Sequence, residues 1–217
     1  AIIATGSTPP VTANPDALSN IVLQGAFVAT TSSVTIDPLT GNLDATPFNG
    51  SASMNLSGTH PSVVYNLAFG NLALHDYLEP EAGATASGDT AETTSLPQAD
   101  SEIIPVDTLA SIDVDGNLTI EAVTLDSLSM DQLSLGLILK AGKLTSAFRA
   151  SAYGGTIDSQ IRVDARQTPV TSIESHATNV DLHAMTGFEW ITGTLKFDST
   201  LSTNGAMLSE ILASIDG

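Results

Sequence analysis

Residues 152–166 read AYGGTIDSQIRVDAR. From Thr156 the run alternates: Ile157, Ile161 and Val163 fall on one parity, and Asp158, Gln160, Arg162 and Asp164 on the other. Period two over this length is the pattern of a strand with one face turned away from water. Tyr153-Gly154-Gly155 leads into it. A phosphate cradle needs its glycines after a strand and before a helix, usually with a Lys; here a strand follows and no Lys is adjacent. The glycines therefore read as a hairpin turn, where a positive φ is required. What remains open is what the aliphatic parity lies against.

The same alternation recurs on both sides of this stretch. Upstream, IVLQGAFVAT (21–30), SASMNLSG (51–58) and VVYNLAF (63–69) show it, with Val63, Tyr65, Leu67 and Phe69 sharing a face. From Ile103 strands resume: NLTIEAVTL, DQLSLGLIL, KLTSAFRASAY, TIDSQIRVDAR and GTLKFDSTL, separated by turn residues. Leu133, Leu135, Leu137 and Leu139 share one face. Short helices are expected at LALHDYL (72–78) and at NVDLHAMTG (179–187), the latter with Asn179 as N-cap and Gly187 as C-cap. A last helix is expected over 205–217, where Met207, Leu208, Ile211, Leu212 and Ile215 have helical spacing. Residues 1–19, with three prolines, read as a tail or loop. Residues 79–102, rich in Ala, Thr, Ser, Glu and Asp, cannot bury enough apolar surface to offset ordering entropy and read as an acidic, disordered linker.

The two strand regions, 20–78 and 103–217, resemble each other. Gly50 matches Gly155 at an offset of 105, while Pro61 with Pro169, Asn71 with Asn179 and Leu74 with Leu182 match at 108. A duplicated β-meander is the simplest account.

The chain has 217 residues and carries 6 Lys plus Arg against 24 acids, a net charge of −18. All six cations follow Leu139. Nucleic-acid binding requires cations to displace counterions from phosphates, so no nucleic-acid partner is expected. The chain has no Cys, hence neither disulfide nor thiolate chemistry. It has no run of 18 apolar residues and no basic signal start, and is expected to be an excised segment or mature fragment.

Catalytic and metal-binding patterns are weak. No GxSxG elbow occurs. Asp158 and Asp164 lie on the polar parity, and neither they nor Glu174 with Asp181 require a catalyst. His60, His75, His176 and His183 form no HxH or HxxxH pair. DVDGN (113–117) is like part of a calcium loop, with Asp113 and Asp115 as candidate ligands, but Glu121 is too close to complete it, and a turn opening the next strand is the simpler reading. No enzyme activity, cofactor or metal is expected.

Each strand thus has one apolar face, and the expected helices are too few and short to cover them. The sheet must close on itself, pack on a second sheet, or cover something else. The order of motifs bears on the choice. The DGNLTI turn-strand (115–120), the dyad LDSLSMDQLSL (125–135), AYGGTIDSQIRVDAR, a proline-led strand, NVDL with a short helix, and ITGTLKFDSTLSTNGAMLSEILASIDG (191–217) together resemble the C-terminal region of the AsmA-like proteins. LALHDYLEPE (72–81) is similar to the end of that family's upstream repeat.

The resemblance implies a mainly β fold: an antiparallel meander sheet curved into an open, taco-like groove with a few short helices. It implies a periplasmic protein of Gram-negative bacteria, held at the inner membrane by an anchor absent from this chain. It further implies a role in outer-membrane biogenesis and in moving phospholipids between the two membranes. The partners expected are phospholipid acyl chains and, secondarily, envelope proteins. The residues expected to face lipid are Leu118, Ile120, Leu133, Leu135, Leu137, Ile157, Ile161 and Val163. Two other readings compete: a β-rich interaction or structural module assisting envelope assembly, and a secreted calcium-dependent β-protein.

Overall fold

The computed structural model describes residues 12–78, 103–125 and 128–215. Its strands form one ten-stranded sheet in sequence order, β1 to β10. The strands are β1 (Ile21–Ala29), β2 (Ser33–Leu43), β3 (Thr46–Asn55), β4 (Ser62–Ala73), β5 (Asp113–Leu125), β6 (Leu128–Lys140), β7 (Lys143–Ala152), β8 (Gly155–Asp164), β9 (Val170–Asp181) and β10 (Thr194–Asn204). Every neighbouring pair is antiparallel except β4 and β5, which run parallel, with Leu67 beside Leu118 and Phe69 beside Ile120. A parallel pair needs a long crossover, and the chain between these two strands supplies it. The expected disordered linker lies in that crossover, outside the described residues. β1 and β10 are not paired with each other, so the sheet is open rather than a barrel. Among the described residues three short helices accompany it, α1 (Val106–Ser111), α2 (Leu182–Thr186) and α3 (Leu208–Ala213), together with a 3₁₀ turn at Leu74–Tyr77.

Local chemistry accounts for the hairpins. Tyr153 and Gly154, with φ of 50° and 73°, form the two-residue turn between Ala152 and Gly155. Successive positive φ values match the turn to the twist of the flanking strands. Ala141-Gly142 does the same between β6 and β7.

Several sequence readings are corrected. Gly50, matched in the repeat to Gly155 of the hairpin glycines, marks no turn: Asn49-Gly50 lies inside β3, opposite Ala68 and Leu67. Gly50 is needed there because its φ is 151° and a Cβ would run into the Asn66 carbonyl oxygen. DVDGN is no turn either; it begins β5, and its glycine serves packing, as described below. Strands do not resume at Ile103: α1 comes first, following Pro105 and burying Leu109. β2 has no counterpart among the expected strands, since Asp37-Pro38 and Gly41 interrupt its alternation. The structure absorbs Pro38 in a register shift between Ile36 and Leu39, where no ladder donor is missed. The N-cap of α2 is Asp181, whose carboxylate accepts the Ala184 N–H at 3.0 Å; Asn179 sits in β9 with φ 57°, while Gly187 closes the helix as expected. In the described part of the expected terminal helix, 208–213 is helical, and Ile211 packs against the core.

Apart from Gly50, which lies within β3 while Gly155 opens β8, the residues matched between the two strand regions occupy like positions. Pro61 and Pro169 immediately precede β4 and β9, and Leu74 and Leu182 open the one-turn helices after them.

Candidate functional site: an uncovered apolar sheet face

Opposed residues in a ladder point to the same face, so the registers trace that face from strand to strand. One row runs Leu67, Leu118, Leu135, Phe148, Ser159, Ser175, Ser199. The next runs Tyr65, Gly116, Leu137, Ser146, Ile161, Ile173, Leu201. In β1 to β3 the face continues through Leu23, Phe27, Ile36, Leu39, Phe48 and Met54. All eight expected lipid-facing residues stand on this one face. The opposite face carries Asn66, Asp115, Asn117, Arg149, Asp158, Gln160, Arg162, Glu174 and His176.

Besides the register shifts at Gly25–Phe27 and Ile36–Leu39, an irregular band interrupts the alternation further along the sheet. The apolar parity advances by one between Phe69 and Leu72, between Ile120 and Val123, and between Met130 and Leu133, all of which pack together. It advances again at Ala177 and Val180, both opposite β10. Gln132 and Asn179, with φ of 51° and 57°, mark the step in β6 and β9. Bulges of this kind bend strands and increase twist.

Large rings lie flat on this face because glycines sit beneath them. Gly116 has no room for a Cβ, which would collide with the Tyr65 ring, and Gly41 lies under the Phe48 ring in the same way. Phe48 stacks on Phe69 with centroids 5.0 Å apart.

Among the described residues the covers are confined to the two ends. At one end Ile104 and Leu109, with Val106, Ile112 and Ile211 beside them, bury Leu139, Val163 and Ala165. At the other, Leu74 of the 3₁₀ turn joins Ile120, Val123, Leu133 and Ala150. The eight residues therefore differ. Ile120, Leu133 and Val163 are buried against protein. Leu118, Leu135, Leu137 and Ile157 are half-buried, and Ile161 is 37 % exposed. β1 remains open on both sides: Leu23 and Phe27 are exposed on one face and Val22 and Val28 on the other.

Serines are the feature of the face that alternation alone hides. Ser159, Ser175 and Ser199 form a row across β8, β9 and β10, with Ser159 Oγ 3.0 Å from Ser175 Oγ.

The polar face is knit by ion pairs in its C-terminal half. Arg149 pairs with Asp158, Arg162 Nη1 with Glu174 at 2.8 Å, and Lys143 and Arg166 both with Asp164. The Arg166 guanidinium holds the Asp164 carboxyl well below the usual carboxylate range. His176 Nδ1 lies 2.7 Å from Asp198 and, with Lys196, lowers that carboxyl too. Near the β2–β3 turn, Asp44 accepts N–H donors from Asn20 and Leu18 and the Tyr77 hydroxyl, all at 2.9 to 3.0 Å. These bonds depress the Asp44 carboxyl, and burial with that carboxylate pushes Tyr77 up to about 12. Among the described residues no three His, Asp or Glu side chains gather as metal ligands. No described helix is long and apolar enough to cross a membrane.

A sheet whose described residues leave one apolar face uncovered between two capped ends defines a class of protein with a face free to lie against something else. The chain belongs to the AsmA family, whose model matches residues 4–217. Comparison with curated proteins and with solved structures gave no match. Membership associates the chain with the cell envelope, in lipid transport or outer-membrane assembly.

Proposed function

We propose that the uncovered face is a groove for phospholipid acyl chains, and that the protein carries phospholipid through the periplasm between inner and outer membranes without a covalent step. In this reading it is not an enzyme, and the full-length protein is anchored at the inner membrane. The observation that carries the reading is the mainly apolar face that runs across the sheet and whose covers, among the described residues, stop at its ends. Nine inter-strand spacings of about 4.8 Å make the face about 43 Å wide, wider than the ~30 Å hydrocarbon core of a bilayer. Each methylene laid on it escapes water with a gain of about 0.8 kcal/mol. Head groups stay at the rim, and a chain slides because no single residue holds it.

The test is native mass spectrometry and lipid extraction of the purified protein. Co-purified phospholipid that exchanges with added lipid is expected. A folded protein that carries none, and takes none up, sinks the groove reading. One observation favours a second reading: among the described residues β1 is an edge strand of nine residues without charge or proline, apolar on both faces and with no partner on its outer side. Such an edge accepts a further strand, as an envelope-assembly module would require. Lipid-free protein that instead captures a strand along β1 would support it.

A further inference from the structure

The loop joining β9 to β10 carries the most exposed large apolar side chain among the described residues, Trp190, at 79 %. Phe188 stacks on it, with centroids 5.7 Å and planes 27° apart, and Phe188 and Met185 are themselves exposed. The loop is built to hold them there. Asp181 caps α2, Gly187 terminates it in the left-handed region, and His183 Nδ1 lies 3.1 Å from the Phe188 carbonyl oxygen. At the base the Leu182 N–H donates to the Gly193 carbonyl at 3.0 Å. Two exposed rings on a tied loop belong to neither core cluster and carry much of the cost of apolar hydration.

We propose that this loop docks the protein onto a zwitterionic phospholipid surface, with Trp190 and Phe188 entering the interface. Tryptophan suits the head-group level because its ring is apolar and its N–H remains wet. The charge argues for the lipid class. Residues 181–194 contain no Lys or Arg, their acids are Asp181 and Glu189, and the chain as a whole carries −18. An anionic surface would repel it within a Debye length. Position argues for a purpose. Leu195 and Phe197, the next apolar side chains on the open face of β10, are both exposed, so the docked loop sets the edge of that face beside the bilayer. The inference goes beyond the groove reading, and the two fail separately.

Trp190 is the chain's sole tryptophan, so its fluorescence reports on the loop directly. With phosphatidylcholine vesicles its emission is expected to shift to the blue, to lose acrylamide quenching and to be quenched by brominated lipid. Phe188→Ser and Trp190→Ser should each weaken vesicle co-flotation by about tenfold or more, leaving co-purified lipid unchanged. Ile161→Asp, which disables the groove, should keep the shift. Anionic phosphatidylglycerol should weaken binding, and added salt should restore it. Emission unmoved by vesicles, undiminished flotation of the serine variants, a shift lost with Ile161→Asp, or tighter binding to anionic lipid would each overturn the proposal.

Discussion

Ile161 and Val163 are two residues apart on the same face of β8, yet charge should affect them oppositely. Val163 is buried against Ile104, Leu109, Leu139 and Ala165. Replacing it with Asp forfeits the ~1.5–3 kcal/mol of a buried valine and adds a penalty of at least a few kcal/mol for an unpaired carboxylate away from water. For a chain of this size each kcal/mol moves Tm by about 2–4 °C, so Val163→Asp should lower Tm by about 10 °C or more. Ile161 stands between Ser146 and Ile173, 37 % exposed and in neither end cluster. An aspartate there keeps its water, and the cost should stay within about 1 kcal/mol, or about 2–4 °C. It also places a charge in the path of an acyl chain. Thermal unfolding with lipid extraction on the same preparations separates the effects. Val163→Asp should be unstable, whereas Ile161→Asp should be folded and lipid-free. If Ile161→Asp melts as low as Val163→Asp, the middle of the face is covered by protein; if it stays stable and keeps its lipid, Ile161 does not line the groove.

Three further outcomes follow from particular contacts. Gly116→Ala drives a methyl into the Tyr65 ring and should cost about 1–3 kcal/mol by overpacking; Tyr65→Leu in the same chain should recover much of it, read by urea unfolding. Asp44 has a folded carboxyl below its ordinary 3.8, because backbone N–H groups and Tyr77 favour the anion. Its contribution is present above that ordinary value and is lost as pH falls through the depressed one; Asp44→Asn should lower stability at neutral pH and flatten this acid limb of the unfolding curve. Arg162→Ala breaks a solvent-exposed pair with Glu174 and should shift stability by less than about 1 kcal/mol, leaving Tm within ~4 °C.

The strands around the opening stretch were legible because period two is a local property: Ile157, Ile161 and Val163 declare their face without any knowledge of neighbours. β2 was not, because Asp37-Pro38 breaks the pattern and only the register with β3 shows the strand continuing past it. α1 escaped because six residues with one buried leucine give too short a period to read. Gly50 and Gly116 both look like turn residues in sequence. They are strand residues whose missing side chains make room for the Asn66 carbonyl and the Tyr65 ring, neighbours supplied by other strands.

The sequence by itself determined the class of fold, the parity of each strand's apolar face, the hairpin at Tyr153-Gly154 and the excess of acid that disfavours nucleic acid. Those follow from residue type and spacing along one chain. Only the tertiary structure decided which members of the aliphatic parity touch protein and which are left open. Val163 and Ile161 read identically in sequence. They part because α1 and Ile104, folded in from before β5, lie over one end of the sheet and stop short of its middle.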